Sequence, residues 1–368
     1  MKIAVVTIHR VHNYGSALQT YATQRVLEKL GHDVTVIDYI TPQRTKRQLY
    51  AQPPAAAGCG GIKGKLLHGA KIASLMLRDI SFGRFLKKHL KLTRQYITAE
   101  DMEKDPPAAD LYVTGSDQVW NSVYNKGVDR GFFLDFIPED CRRIAFVSSF
   151  GKDKLDEGEK EQTRWYLSRY EGLSVREDSA RRILEDLGRT DAVQLIDPTL
   201  QLTKAEWLAM ASGRLIREPY VLLFLLYNED ENATAYARRI ADQRGIKVVK
   251  LSWEMKAPAG VDILMTHRRP EDFLSLFAHA DFVVTNSFHG LAFSINLEKQ
   301  FLVVPRKDFN SRIESLLRLT GLQSRMAGYG GVDIPREEID YVPVRRVLDA
   351  EREKAKGFLN AHMGQERR

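Results

Sequence analysis

The run "VVTNSFHGLAFSINLEKQFLVVPRKDFNSR", Val283 to Arg312, sets one histidine on the lip of an apolar stretch and three cations after the next. His289 stands between Ser287 and Gly290 at a strand-to-helix turn, where a proton donor or an anion contact is open to a ligand. Arg306, Lys307 and Arg312 follow a second apolar run, which in a parallel sheet lies close to the first. An imidazole beside several fixed cations suits a small substrate carrying both phosphate and carboxylate. A histidine satisfied by structural partners is the plainer alternative.

Three further polar clusters end apolar runs. In "LSVRED", Arg176 needs an anionic partner, either Glu177 or Asp178 within the chain or a phosphate or carboxylate gripped by both arms of the guanidinium. "GSDQVWN" sets Asp117, Gln118 and Trp120 together. A carboxylate, an amide and an aromatic face hold sugar hydroxyls and cover a ring, unless Asp117 is a helix cap and Trp120 is core. Asn13, Tyr14, Gly15 and Ser16 open the first helix, where free N–H groups and the dipole favour an anion, or where Asn13 is only a cap. Neither a G-x-G-x-x-G fingerprint nor a P-loop is present, which disfavours dinucleotide binding and NTP hydrolysis.

The elements that must position these residues alternate along the chain. "KIAVVTI", "DVTVIDY", "DLYVTGS", "RIAFVSS" and "GLSVRE" read as one set of buried strands, "YVLLFLLY", "KVVKLSW", "DFVVTNS" and "FLVVP" as a second, with helices between. Such near-continuous apolar strands imply parallel sheets covered on both faces. The expected fold is therefore α/β, with two doubly wound, Rossmann-like domains at 1–190 and 191–340. A C-terminal helix and tail, 341–368, packs back on the first domain. Ligands of open parallel sheets collect at the carboxyl ends of strands, and all four polar clusters sit there.

At 368 residues, 43% hydrophobic and 28% charged, the chain is long enough for two such cores. Its N-terminus reads as a first strand and not as a signal peptide, and no stretch reaches the roughly 18 apolar residues of a membrane span. Cys59 and Cys141 lack metal-ligand spacing, so neither a disulfide framework nor a structural metal is expected, and a cytoplasmic setting fits. The net charge of +7 is uneven: between Thr41 and Thr98 twelve Lys and Arg face one acid, Asp79, for +11, leaving −4 elsewhere. This segment contains a basic amphipathic helix around Leu66–Leu90, which either packs its apolar face on the domain or rests on lipid headgroups.

Taken in order, "NYGSALQTYATQ", "GSDQVWN", "SVRED", "DPTL" and "TNSFHGLAFSI…VPR…NSRIESLL" resemble the polysaccharide pyruvyl transferase family. The resemblance runs from about residue 3 to 320 and leaves out the basic segment 41–98. It implies a GT-B-like pairing of the two domains and a metal-independent, cofactor-free transfer from phosphoenolpyruvate to a sugar of a cell-surface polysaccharide precursor, closing a cyclic pyruvate ketal. Carried over, the family's histidine falls on His289, its arginine after the "SV" strand on Arg176, and its later basic site on Arg306 or Lys307. Asp117 matches the acidic residue of the N-domain motif.

The catalytic set expected is then His289, Arg176 and Asp117. Ser287, Gly290, Arg306, Lys307 and Arg312 join Arg176 and His289 at the donor, while Asn13 to Ser16, Asp117, Gln118 and Trp120 serve the acceptor. The expected partners are phosphoenolpyruvate and a saccharide, with a lipid-linked acceptor and contact of residues 62–94 with an anionic membrane as the accompanying hypothesis. That places the protein in the cytoplasm, peripheral to the inner face of the plasma membrane, and no nucleic-acid partner is expected. A nucleotide-sugar glycosyltransferase of the same architecture is the alternative, and a non-catalytic saccharide- or polyanion-binding protein the second.

Overall fold

The computed structural model describes residues 1–51, 62–226, 231–254, 256–306, 310–328, 334 and 337–364. Lys307, Cys59 and most of the Pro/Ala/Gly stretch before the basic helix lie outside the described residues.

Twelve described strands form two parallel sheets. The first comprises β1 (Lys2–Val6), β2 (Asp33–Tyr39), β3 (Leu92–Tyr96), β4 (Leu111–Thr114), β5 (Arg143–Ser148), β6 (Gly172–Val175) and β7 (Val193–Gln194). Its order is β3-β2-β1-β4-β5-β6-β7. The second comprises β8 (Tyr220–Phe224), β9 (Lys247–Leu251), β10 (Ile263–Met265), β11 (Phe282–Thr285) and β12 (Phe301–Val303), ordered β10-β9-β8-β11-β12. Both orders reverse direction beside the first strand, between β1 and β4 and between β8 and β11, the switch point at which such sheets bind ligands. The central strands are buried on both faces because they are apolar at nearly every position, as in "YVLLF" and in "KIAVV" after its exposed first lysine. β3, β7 and β10 escape a reading by hydrophobic runs because they lie at sheet edges and are only partly buried. The first sheet continues to Gln194, a few residues past 190, since β7 pairs with β6.

The two Rossmann-like units face each other in a GT-B-like arrangement across one apolar cluster. Tyr14, Leu18, Phe82, Phe85 and Leu86 from the first meet Trp207, Phe224, Phe273, Phe277 and Phe293 from the second. The Tyr14 ring stacks on Trp253 and Phe273, with centroids 5.3 and 5.0 Å away. Each fully buried aromatic of this kind contributes about 1.5–3 kcal/mol, so the domains are held rather than merely tethered. The last helix, Tyr341–Met363, spans both: Tyr341, Val344 and Leu348 join the interdomain cluster, and Ala355, Phe358, Leu359 and Met363 pack under the first sheet with Ile3, Val5 and Phe146.

Candidate active site

The carboxyl ends of β1, β4, β6 and β11 converge between the domains. The first helix begins at Tyr14 because Asn13 caps it, its Oδ1 accepting from Gly15 N at 2.9 Å and Ser16 N at 3.3 Å. Those two amides are therefore satisfied by the cap and are not offered to an anion, so of the two sequence readings of this turn the helix cap is the one observed. Ser16 Oγ donates to Asp117 Oδ2 at 2.5 Å, and Gln118 N donates to Oδ1 at 2.8 Å. Asp117 itself is left-handed, at φ 77°, a conformation costing about 1–3 kcal/mol that Asp tolerates better than most residues.

Arg176 sits at the end of β6 in a buried cage of carboxylates. Its Nη1 donates to Asp197 Oδ2 at 2.9 Å, Nε lies 3.5 Å from Glu177 Oε2, and Nη2 lies 3.9 Å from Asp117 Oδ1. Asp197 opens the "DPTL" helix and accepts from Thr199 N and Oγ1 on one oxygen and from Ser116 Oγ and Arg176 on the other. A bulge between β5 and β6, with Val147 at φ 60°, turns Ser149 so that its Oγ donates to Glu177 Oε1 at 2.6 Å. Nε and Nη2 of Arg176 and Oε2 of Glu177 find no hydrogen-bond partner, an unusual residue of buried polar capacity.

From the second domain, Ser287 caps the helix Phe288–Asn296, and His289 occupies its first turn with Nε2 3.9 Å from Asp197 Oδ2 and without a hydrogen-bond partner. Gly15 lies against the ring: a Cβ there would stand 2.1 Å from His289 Nδ1. Gly290 is required for packing, because a Cβ would stand 2.2 Å from Thr285 Oγ1. The Phe288 ring lies between two guanidiniums, with Arg176 Cζ 4.6 Å and Arg312 Cζ 5.9 Å from its centroid. Among the described residues Arg312 has no carboxylate within salt-bridge distance.

The charges set one another. Burial alone would raise the Asp117 and Asp197 carboxyls, but Arg176, His289 and the surrounding hydrogen bonds bring both below the ordinary aspartate range. Burial lowers the His289 pKa below 6.5 in spite of the two aspartates, so the ring rests neutral at pH 7. Burial also disfavours the Arg312 cation, and Arg176 nearby adds to that, a cost that an incoming anion would relieve.

Two openings adjoin at Phe288 and Arg312. One, about 40 Å³, is lined by Asn13, Asp117, Gln118, Ser287, His289 and Arg306. The other, about 230 Å³, is lined by Arg176, Asp197, Gln194, Ser315 and Arg318. A third cavity of about 410 Å³ opens at the ends of β1 to β3 and is lined by His9, Arg10, His12, Arg44, Lys46 and Asp79. His12 borders this cavity and its chain neighbour Asn13 the cleft. Among the described residues, no group of three His, Cys, Asp or Glu side chains could hold a metal ion.

The structure therefore gathers Asn13, Gly15, Ser16, Asp117, Gln118, Arg176, Ser287, His289, Arg306 and Arg312 at one place. It does not bring two of the expected acceptor residues to the cleft. Trp120 is 3% exposed and stacks on Phe133 at 5.5 Å and 10° within the first domain's core, so it offers no face to a sugar. Tyr14 is interdomain packing, its OH donating to Arg268 O at 2.9 Å. Both are aromatic positions where burial next to other rings outweighs exposure to a ligand. Sequence reasoning offered Glu177 as an in-chain partner of Arg176, and the structure shows that contact at 3.5 Å; it missed Asp197 as a member of the site, although "DPTL" contains it. It missed Arg44 and the third cavity outright, since nothing in the spacing of "PQRTKRQ" points inward.

The family model described as polysaccharide pyruvyl transferase matches residues 13–308. Among curated proteins no match is found. Solved structures give a likeness of fold at low identity. The UDP-GlcNAc 2-epimerase of Methanocaldococcus jannaschii is 14% identical over 100% of this chain and 94% of that one, with a TM-score of 0.46. The glycosyltransferase SnogD of Streptomyces nogalater is 14% identical over 97% and 95%, at 0.41. The UDP-GlcNAc 2-epimerase of Neisseria meningitidis is 11% identical over 98% and 94%, at 0.46. Scores of this size carry no inference about chemistry.

Proposed function

The chain belongs to the polysaccharide pyruvyl transferase family, and from that premise we propose that it transfers the enolpyruvyl group of phosphoenolpyruvate to a saccharide and closes a cyclic pyruvate ketal. The observation that carries this reading is the pairing of Arg312, a guanidinium with no carboxylate partner among the described residues, with the unpartnered Nε2 of His289 at the same cleft. Phosphoenolpyruvate bears a phosphate and a carboxylate on three carbons and needs that combination of fixed cations and a proton source.

In this mechanism Arg312 and Arg306 hold the two anionic groups, and the charge that builds on the departing phosphate is stabilised in place. His289, neutral when the cleft is empty, is pushed toward its charged form by the arriving anions and delivers a proton to the methylene carbon. That leaves an oxocarbenium-like centre at C2, which one sugar hydroxyl attacks. The C–O bond to phosphate then breaks, and the second hydroxyl closes the ketal. One hydroxyl proton ends in the new methyl group by way of His289, and the other leaves on inorganic phosphate, so atoms and charge balance. Asp117 has too low a pKa to be a strong base, and its part is to accept a hydrogen bond from the acceptor hydroxyl and orient it. Arg176, compensated by three carboxylates, acts mainly by keeping Asp117 and Asp197 charged and in position. The acceptor enters by way of the third cavity, where Arg44 favours a saccharide that also carries an anionic group and Lys46 is paired with Asp79. The transfer needs no metal or cofactor.

A thermal shift tests the donor. A ligand that binds only the folded state stabilises it by about 2.7 kcal/mol at a hundredfold excess over its dissociation constant. Phosphoenolpyruvate is expected to raise the midpoint, with UDP- and GDP-sugars having no effect. The reverse pattern would replace this reading with glycosyl transfer.

A further inference from the structure

Most of the basic segment folds as one long helix, Ile62–His89, and among the described residues one of its faces is packed into the fold. Leu75, Phe82, Phe85 and Leu86 are buried against the interdomain cluster. The opposite face carries Leu66, Ala70, Ala73, Leu77 and Ile80 at alternating spacings of four and three residues, which is one stripe of a helix. Leu66 is 69% exposed, Leu77 52%, Ile80 49%, and Met76 beside them 48%. A contiguous apolar stripe of this kind on an exposed helix face marks an interaction surface.

Cations frame it. Lys65 stands at one end, and Arg84, Lys87 and Lys88 stand on the same exposed side at the other. Among the described residues none of these four makes a salt bridge or hydrogen bond within the protein. The helix carries a single acid, Asp79, and it points inward to His12 and Tyr50. No helix among the described residues is long and apolar enough to cross a membrane, so the stripe is not part of a helical span.

We propose that this face docks the protein on an anionic lipid bilayer, with Leu66, Met76, Leu77 and Ile80 entering the headgroup–acyl boundary and Lys65, Arg84, Lys87 and Lys88 meeting the headgroups. Charge complementarity selects this occupant, because an apolar strip bordered by four cations with no carboxylate of its helix beside it matches a negatively charged interface. Each cation near such a surface strengthens attraction about fivefold. The inner edge of the same helix, at Asp79, Phe82, Gly83 and Leu86, walls the 410 Å³ cavity, so docking brings that cavity to the interface. The inference stands apart from the identity of the donor.

Sedimentation of the full chain with vesicles tests it. Binding to mixed phosphatidylcholine–phosphatidylglycerol vesicles is expected, with little to phosphatidylcholine alone and release by added salt. Leu77→Glu with Ile80→Glu should abolish it, and Arg84→Gln, Lys87→Gln and Lys88→Gln together should weaken it at least tenfold. All five positions are exposed, so an unchanged thermal midpoint will show that the variants still fold. Three results would overturn the proposal. These are failure to sediment with the anionic vesicles, sedimentation that survives both sets of substitutions, and a dimer in lipid-free solution that Leu77→Glu with Ile80→Glu dissociates.

Discussion

Gly15 and His289 come from different domains and meet so closely that the glycine's missing side chain is part of the histidine's position: a Cβ on Gly15 would stand 2.1 Å from Nδ1 and 2.2 Å from Cγ. Gly15 lies in the first turn of its helix, with no left-handed backbone to preserve. Elsewhere in a helix, glycine to alanine would be neutral or stabilising by about 0.4–1 kcal/mol. Here the imidazole must swing away. Gly15→Ala is expected to destabilise the fold by about 1–3 kcal/mol, the usual range for overpacking a buried contact, while lowering turnover nearly as far as His289→Gln does. A melting curve and initial rates on the same preparation measure both effects. Unimpaired turnover would mean that the ring's position is immaterial.

Arg176 and Arg312 flank the same phenyl ring, yet their removal should have opposite signatures. Arg176→Ala would leave Asp117, Glu177 and Asp197 buried without their cation, and loss of one partner from such a group costs about 3–5 kcal/mol. Denaturant unfolding should show that loss in the absence of any ligand. Arg312→Ala removes a cation that is itself disfavoured by burial, so the free protein should be nearly as stable as the parent or slightly more so. It should instead lose the stabilisation given by phosphoenolpyruvate. Equal destabilisation of the two unliganded variants would contradict this division of labour.

The resting state of His289 fixes the direction of the pH profile. Burial places its pKa below 6.5, so in the free enzyme the protonated fraction grows as pH falls from neutrality toward that lowered value. If His289 supplies the proton, kcat/KM should rise over that range and flatten below it. His289→Gln should remove the limb and reduce the rate by about 10²–10⁴-fold. A profile of unchanged shape in the variant would reduce His289 to a phosphate contact.

Stability should run the other way. Because the folded-state pKa of His289 is depressed, the unfolded chain binds the extra proton below 6.5, and the folded state loses stability as pH falls from 6.5 through the depressed value. Asp117 and Asp197, also depressed, hold their contribution above the ordinary aspartate range and lose it at lower pH still, as they protonate in the folded state. Midpoints measured from pH 7 downward should therefore fall in two stages. The first should be shallower in His289→Gln, and the second should remain. A midpoint flat between pH 7 and 5 would contradict the burial of a neutral imidazole.

What the sequence determined by itself was the periodicity and the ends of strands. Runs such as "KIAVV" and "FVVT" can be satisfied only in sheets covered on both faces, and the polar residues that follow them must emerge at carboxyl edges. That places His289, Arg176 and Asp117 at strand ends before any coordinates are known. Three of the four edge strands, β3, β7 and β10, stayed hidden because half-buried strands need no apolar run, whereas the buried edge strand β12 shows as one. Tertiary structure decided which groups face each other. Trp120 and Tyr14 read as ligand faces and are packing, since an aromatic's environment is set by rings that lie far away in the chain. Asp197 caps the "DPTL" helix and is also the partner that ties Arg176 to the neighbourhood of His289, across 21 and 92 residues of chain. Charge in a buried site is a property of the whole cage, and no stretch of sequence contains the cage.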